Sequence, residues 1–164
     1  MKMHARFTAS LMLGLALGAV AACAPSGTAQ AAPKVTAARL IPLDIVTAKG
    51  TLHYKVEVAL TPQEQERGLM FRTSLPERGG MIFPMKPSRW ATFWMKNTLI
   101  PLDIIFIRED GHIARIAANA VPESLDMIES GEPIAAVLEI IGGGAAAAGI
   151  APGDVVRWQG RPAS

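Results

Sequence analysis

The sequence predicts a mainly β protein of the β-rich α+β kind, a compact small barrel or sandwich of short strands with two short helices. Two observations carry this prediction. Short apolar stretches separated by glycine, proline and Asp-Gly turn residues recur at intervals typical of small β domains. The chain also has no internal repeat, no heptad pattern and no alternation of strands with long helices, which a parallel sheet would require.

The clearest strand is predicted at residues 52–60, where apolar side chains occupy every second position. This period of two is typical of a strand that buries one face. Residues 40–47 are expected to pair with it as a hairpin across the turn at 48–50. Further strands or apolar segments are expected at 81–83, 90–95, 102–107, 112–117, 134–141 and 155–158, with an irregular loop at 118–133.

Two short helices are predicted between these strands. Thr61 is a suitable N-cap, Pro62 suits the first helical position, and Glu64 completes a Thr-x-x-Glu capping box. Gly68 limits this first helix to about two turns. The second helix is a single turn at 145–148, after a run of three glycines.

The first residues have the layout of a secretory signal. Lys2 and Arg6 precede an apolar run at 9–22, which is too short to span a bilayer comfortably. The run ends in Val20-Ala21-Ala22-Cys23, which resembles the lipobox of bacterial lipoproteins, and Cys23 is the only cysteine of the chain. We therefore expect a signal peptide at 1–22 and an exported, periplasm-facing lipoprotein that is anchored to a membrane through Cys23.

An alternative cleavage follows Ala29-Gln30-Ala31, which fits the small-x-small rule and would give a soluble periplasmic or secreted protein. In the lipoprotein interpretation, residues 23–38 form a flexible tether, because they contain little that can pack. Residues 39–160 then form a single β-rich domain of a size that suits one core.

Composition limits the classes of partner. The chain has 16 basic and 14 acidic residues, and two of the basic ones lie in the predicted signal peptide. A nearly neutral domain without a basic run argues against nucleic-acid binding. No cofactor motif is present, so we expect no cofactor, and the membrane is the one partner that the sequence itself indicates.

Four charged residues interrupt apolar segments and form the main candidate site. Buried charges must be paired or must face a cleft, so these residues predict either a buried polar network or a ligand site. Lys96 and Asp103 are expected to form an ion pair beneath an aromatic surface made by Trp90 and Trp94. With the neutral Asn97 beside Lys96, the four charged residues give the full set of candidates, Arg72, Lys96, Asn97, Asp103 and Glu139.

Four methionines form a weaker candidate site. Thioethers can bind monovalent copper, but methionine more often fills cores. These methionines lie beside leucine, phenylalanine and isoleucine, so core packing is favoured and no metal site is expected. The four are Met70, Met81, Met85 and Met95.

Several motifs resemble one family in their order and spacing. They are Val56-Glu57-Val58-Ala59, a Glu-Arg-Gly-Leu-Met-Phe-Arg run at 66–72, Gly80-Met81-Ile82-Phe83, a Phe-Trp-Met-Lys-Asn-Thr run at 93–98, Ile100-Pro101-Leu102-Asp103, Val137-Leu138-Glu139 and a Gly-Ile-x-x-Gly-Asp ending at 149–154. This series resembles the domain of unknown function family 192, also called uncharacterised protein family 0127. The resemblance implies a compact β-rich domain, often behind a signal peptide, and implies no catalytic residue, cofactor or substrate.

Two functions remain open from the sequence. The first is a non-catalytic envelope lipoprotein whose β-domain binds a small ligand or an envelope partner. The second is an envelope enzyme of hydrolase type, built on Arg72, Lys96, Asp103 and Glu139. Copper binding by the methionines is a minor third alternative, and no catalytic motif decides among them.

Overall fold

The structure is a computed structural model that describes residues 39–159. The predictions for the signal peptide at 1–22, for Cys23, for the tether at 23–38 and for residue 160 lie outside this range.

Within residues 39–159 the chain forms nine strands and two helices. They are β1 (Leu40–Thr47), β2 (Gly50–Val58), α1 (Pro62–Arg67), β3 (Gly79–Arg89), β4 (Thr92–Phe93), β5 (Leu102–Ile107), β6 (Ile113–Ala120), β7 (Ile128–Glu129), β8 (Ile134–Ile141), α2 (Gly144–Ala148) and β9 (Val155–Trp158). Neither helix in this part of the chain has the length and hydrophobicity needed to cross a bilayer.

Seven strands form one sheet in the order β6-β5-β8-β3-β2-β1-β9, while β4 and β7 form a separate pair. The two edges of the large sheet meet at one end through an isolated bridge between His112 and Val155. Because β6 and β9 share only this isolated bridge and no ladder in the described range, the sheet is not a closed barrel. The architecture is sandwich-like. The predicted mainly β class with two short helices is confirmed.

Local sequence signals place the first elements. β1 and β2 pair as the predicted antiparallel hairpin, from Leu40 opposite Glu57 to Thr47 opposite Gly50. The capping box at α1 is also present. The Thr61 hydroxyl accepts the Glu64 amide at 3.2 Å, and the Glu64 carboxylate accepts the Thr61 amide at 2.9 Å.

The sequence did not predict the parallel pairing of β2 with β3, which runs from Lys55 opposite Gly79 to Val58 opposite Ile82. Parallel neighbours need a crossover of a dozen or more residues. The short α1 and the irregular segment at 68–78 supply that crossover together, so no long helix was needed.

The segment at 84–95, which contains Pro84 and Pro87, also differs from the prediction. β3 continues through Pro84, and its pairing with β8 is irregular between Pro84 and Arg89, because proline cannot donate to the ladder. The strand expected at 90–95 is reduced to β4, whose partner β7 lies inside the predicted loop at 118–133.

The large sheet separates two hydrophobic cores, because side chains alternate between its faces. The first core contains Leu43, Ile45, Ile82, Leu138 and Ile140 among others. The second core contains Leu69, Phe83, Phe106 and Val137, together with three of the four candidate methionines, Met81, Met85 and Met95. These three methionines therefore pack as core residues.

Asp103 is fully buried in β5, where its carboxylate accepts three backbone amides. Its Oδ1 accepts the amides of Asn119 at 2.8 Å and Gly143 at 3.0 Å, and its Oδ2 accepts the Ala145 amide at 2.8 Å. Gly143 has φ of +78°, a conformation that favours glycine. Asp103 thus ties β5 to the end of β6 and to the start of α2.

The predicted ion pair between Lys96 and Asp103 is wrong. Lys96 is exposed, and its Nζ lies 5.0 Å from the centroid of the Trp94 ring, a cation–π arrangement. The Asp103 carboxylate already has three backbone donors, so it needs no cation. The sequence showed that the Asp103 charge must be compensated, but it did not show that the partners are backbone amides.

Replacing Asp103 with asparagine should lower the free energy of unfolding by roughly 2–4 kcal/mol, because the amide group cannot accept all three buried N–H groups. Urea denaturation measures this loss. The loss should be the same in a Lys96→Gln background, and the exposed change Asp44→Asn should cost less than about 1 kcal/mol. A coupling free energy above about 1 kcal/mol between Lys96 and Asp103 would contradict this result and support the ion pair.

Candidate functional site

A cavity of about 330 Å³ lies on the side of the second core, and Glu139 forms part of its wall. Its lining combines aromatic and apolar side chains with a few charged ones. The lining residues are Gln65, Glu66, Arg67, Gly68, Leu69, Met70, Phe83, Met85, Arg89, Trp90, Ala91, Thr92, Phe93, Trp94, Thr98 and Glu139. The volume falls within the range of about 300–1,000 Å³ that is usual for small-molecule pockets.

Strand register places Glu139 at this cavity. Glu139 lies opposite Met81 of β3 and opposite Ile104 of β5, so its side chain projects with theirs toward the second core. Gly80 keeps β3 close to β8 at this level. A Cβ on Gly80 would lie 2.3 Å from the Glu139 carbonyl oxygen, so no larger residue fits without a shift of the strands.

Aromatic rings form much of the cavity wall. Phe83 and Phe93 meet edge to face with ring centroids 5.4 Å apart, and Phe93 meets Phe106 in the same way at 6.3 Å. Trp90 and Trp94 complete the wall and remain 63% and 41% exposed. The two tryptophans predicted as an aromatic surface therefore lie together, while Phe93 packs against the second core.

The Glu139 carboxyl is buried without compensation. Glu139 is 6% exposed, and no hydrogen bond or charged partner within residues 39–159 contributes to its electrostatics. Burial raises the pKa of Glu139 to about 8, because the ionised form would lose its hydration. At neutral pH this carboxyl is therefore predominantly protonated, and its O–H can donate a hydrogen bond.

The other charged groups of the cavity lie at its rim. Glu66, Arg67 and Arg89 line the cavity and are exposed. Since exposed charges are well hydrated, they shift the pKa of Glu139 less than its burial does. The cavity thus combines an aromatic wall and the Glu139 carboxyl with charged residues at its mouth.

The remaining predicted site residues do not join Glu139. Arg72 forms a bidentate pair with Glu57, with N–O distances of 2.5 and 2.7 Å. Asp103 lies opposite Ile140, the neighbour of Glu139, so Asp103 and Glu139 project to opposite faces of the sheet. Lys96 lies over Trp94, and the structure therefore separates the four residues of the hypothetical enzyme site.

Asn97 has a local role beside the cavity. It has φ of +56°, and its Nδ2 lies 3.8 Å from the Met70 sulfur. Its carbonyl accepts the Phe71 amide at 2.8 Å. Asn97 thus stabilises the turn that carries Met70 toward the cavity, and asparagine tolerates this left-handed conformation better than most residues.

Sequence reasoning missed Gln65, which positions α1 beside the cavity. Its Nε2 donates to the carbonyls of Ala59 at 3.2 Å and Pro84 at 3.1 Å. It also missed Phe83 as a wall residue. The apolar, strand-like surroundings of Phe83 were a usable signal for burial but gave no sign that a cavity would form beside it.

No cluster of three or more His, Cys, Asp or Glu residues suitable for a metal occurs in the described range 39–159.

The comparisons with known proteins identify the family. The DUF192 family, described as "Uncharacterized ACR", matches residues 44–158. The chain belongs to the DUF192 family. The match covers all but the first part of β1 and extends to the end of β9, so it includes the Glu139 cavity. A comparison with curated proteins finds no match.

Two crystal structures are similar to this DUF192 chain. A protein of unknown function from Novosphingobium aromaticivorans DSM 12444 is 45% identical, with a TM-score of 0.73, covering 88% of this chain and 100% of that one. A protein from Sinorhizobium meliloti 1021, whose given name proposes a transcription regulator, is 40% identical, with a TM-score of 0.72, covering 75% of this chain and 96% of that one.

The buried acid of this DUF192 domain predicts a pH-dependent stability. The folded state keeps the Glu139 proton up to about pH 8, whereas the unfolded chain releases it near 4.5. Raising the pH through this window therefore favours unfolding, by up to about 1.4 kcal/mol per pH unit. Below pH 4.5 and above pH 8 the contribution of Glu139 to the pH dependence should vanish.

Urea denaturation at a series of pH values tests this prediction. Glu139→Gln should remove the fall in stability between pH 4.5 and 8, because the amide does not ionise. Glu77→Gln is the matched control at an exposed position and should keep the wild-type profile. Parallel profiles for the wild type and Glu139→Gln would show that Glu139 titrates normally.

Proposed function

We propose that this domain binds a small organic molecule in the Glu139 cavity and performs no reaction on it. The carrying observation is the buried Glu139 carboxyl, which has no hydrogen-bond partner within residues 39–159 and lies in the wall of an aromatic-lined cavity. A ligand that accepts a hydrogen bond from the Glu139 O–H would satisfy a polar group that has no partner within residues 39–159.

The chemistry of the cavity favours an uncharged ligand with a planar or apolar body. The rings of Phe93, Trp90 and Trp94 offer faces and edges for such a body. The Glu139 O–H would donate to a carbonyl or similar acceptor on the ligand. An anionic ligand group beside Glu139 would be poorly placed, because it would lose hydration there and no cation pairs with the Glu139 carboxyl.

Binding is a better account than catalysis, the second function considered from the sequence. The enzyme considered from the sequence would need Arg72, Asp103 and Glu139 within reach of one substrate. Arg72 is engaged by Glu57, and the Asp103 carboxylate is engaged by backbone amides on the other face of the sheet. Glu139 is therefore separated from the groups that the enzyme hypothesis would assign to it.

We also propose that the protein is exported and anchored to a membrane through a lipid on Cys23. The support is the Val20-Ala21-Ala22-Cys23 sequence after an apolar run, together with the absence of any other cysteine. Cleavage after Ala31, which would give a soluble periplasmic or secreted form, is the competing outcome. The near balance of charge gives no support to a nucleic-acid partner.

Benzamide, a neutral aromatic with one carbonyl, is a suitable probe for the cavity. NMR titration of the full chain should show benzamide shifting the signals of Phe93 and Trp94, and binding should weaken above pH 8 as Glu139 loses its proton. Glu139→Gln should bind benzamide without this pH dependence. Glu139→Leu should bind about ten-fold more weakly, because the buried donor is gone.

Glu77→Gln is the control for the change of charge, and benzylammonium is the control for the probe. Benzylammonium should bind only above pH 8, where Glu139 carries a negative charge. Equal benzamide affinities in the wild type and Glu139→Leu, or no shifts at the cavity with either probe, would contradict the proposed function.

The lipid anchor predicts that the mature N-terminus is a lipid-modified Cys23. Mass spectrometry of protein from bacterial membranes should find the modified cysteine, and Cys23→Ser should prevent lipid attachment and cleavage at residue 22. Ser26→Ala, a neighbouring change that leaves the sequence at 20–23 intact, is the control. A mature N-terminus at Ala32 would establish export without an anchor.

A further inference from the structure

A second cavity, of about 420 Å³, lies where β1 begins and where β2 and β9 end. It is on the side of the first core, since Ile41 belongs to that core and Val58 and Trp158 pack against it. Its lining residues are Arg39, Ile41, Val58, Leu60, Pro62, Gln65, Pro84, Lys86, Arg89, Trp158 and Gln159.

The charge of this cavity has a single sign. Arg39, Lys86 and Arg89 are its charged lining residues, and no acidic residue lines it. None of the three forms a salt bridge within residues 39–159. In a chain whose overall charge is close to neutral, three cations around one concave surface produce a local positive potential that attracts an anion.

The inner surface of the same cavity is apolar. Ile41 and Val58 lie in its wall beside Pro84, and Leu60 lines it while remaining 60% exposed. An exposed leucine in a concave surface indicates a binding site more strongly than one on a convex surface, because an apolar ligand group can cover it. Covering it would remove apolar area from water, at roughly 25 cal/mol per Å².

Trp158 adds a polar group without a partner to this wall. Its Nε1 is buried and has no hydrogen-bond acceptor within residues 39–159. An indole N–H is a donor only, so its natural partner is a carbonyl, carboxylate or phosphate oxygen. The cavity therefore combines three cations with an apolar surface, and Trp158 forms part of its wall.

We propose that this second cavity binds an amphipathic anion, a molecule with an aliphatic chain and one phosphate or carboxylate head. The aliphatic chain would cover Leu60, Val58 and Ile41, and the head would contact Arg39, Lys86 and Arg89. This cavity differs from the Glu139 cavity, whose aromatic wall and buried acid favour an uncharged ligand. Gln65 and Arg89 line both cavities, whereas Ile41 and Val58 line only the second and Phe83 and Glu139 line only the first.

Dodecyl phosphate below its micelle-forming concentration is the probe for this proposal. Isothermal titration of the full chain should show one site, and its affinity should fall as salt is added. Inorganic phosphate tests the head alone and should bind at least about 100-fold more weakly, because it lacks the chain. Dodecyltrimethylammonium tests the chain alone and should not bind.

The double variant Arg39→Gln/Lys86→Gln should weaken dodecyl phosphate binding by at least about ten-fold. The matched control Lys49→Gln/Lys55→Gln removes two exposed cations that do not line the cavity and should keep the wild-type affinity. Glu139→Gln should also keep it, so failure of this proposal can be told apart from failure of the Glu139 proposal.

Three results would overturn the proposal. The first is equal binding of the cationic and anionic amphiphiles, which would reduce the cavity to a non-specific apolar surface. The second is an unchanged affinity in Arg39→Gln/Lys86→Gln. The third is binding by a chain that lacks residues 160–164 but not by the full chain, which would make the chain's own C-terminus the occupant.

Discussion

Burial of β8 on both faces is the constraint on which the rest of the structure depends. All residues from Ile134 to Ile140 are buried, and β8 lies between β5 and β3 within the large sheet. Its alternate side chains therefore supply both cores, with Leu138 in the first and Val137 in the second. A polar residue in this strand is therefore largely removed from bulk water. Glu139 occupies such a position, and its protonation follows from it.

The two buried acids of adjacent strands are accommodated in different ways. Asp103 receives three backbone amides and joins β5 to β6 and α2, so its burial has a structural explanation. Glu139 receives no such donors, and burial alone raises its pKa to about 8. A packed leucine would serve the core better at that position, since an unpaired polar group is costly there. An uncompensated cost of this kind within a cavity is the usual mark of a functional group.

The sequence predicted most of the fold because its signals are local. The limits of β1 and β8 follow from apolar patterning, and the start of α1 follows from its capping box. The parallel pairing of β2 and β3 and the backbone partners of Asp103 were not predictable, because both depend on contacts between distant segments. The prediction of the candidate site was limited in the same way, because the site depends on contacts between distant segments. Glu139 and the two tryptophans were identified as candidates separately, but their meeting in one cavity depends on strand register and on the path of the chain after α1.

The two cavities share Gln65 and Arg89, and α1 lies beside both. Gln65 lines each cavity, and its amide donates to Ala59 at the end of β2 and to Pro84 in β3. No residue of α1 itself is buried, so the helix is held mainly by these bonds, by its cap and by the buried Leu69 that follows it. A displacement of α1 would therefore alter both cavities at once, whereas the large sheet, packed on both faces, would remain fixed.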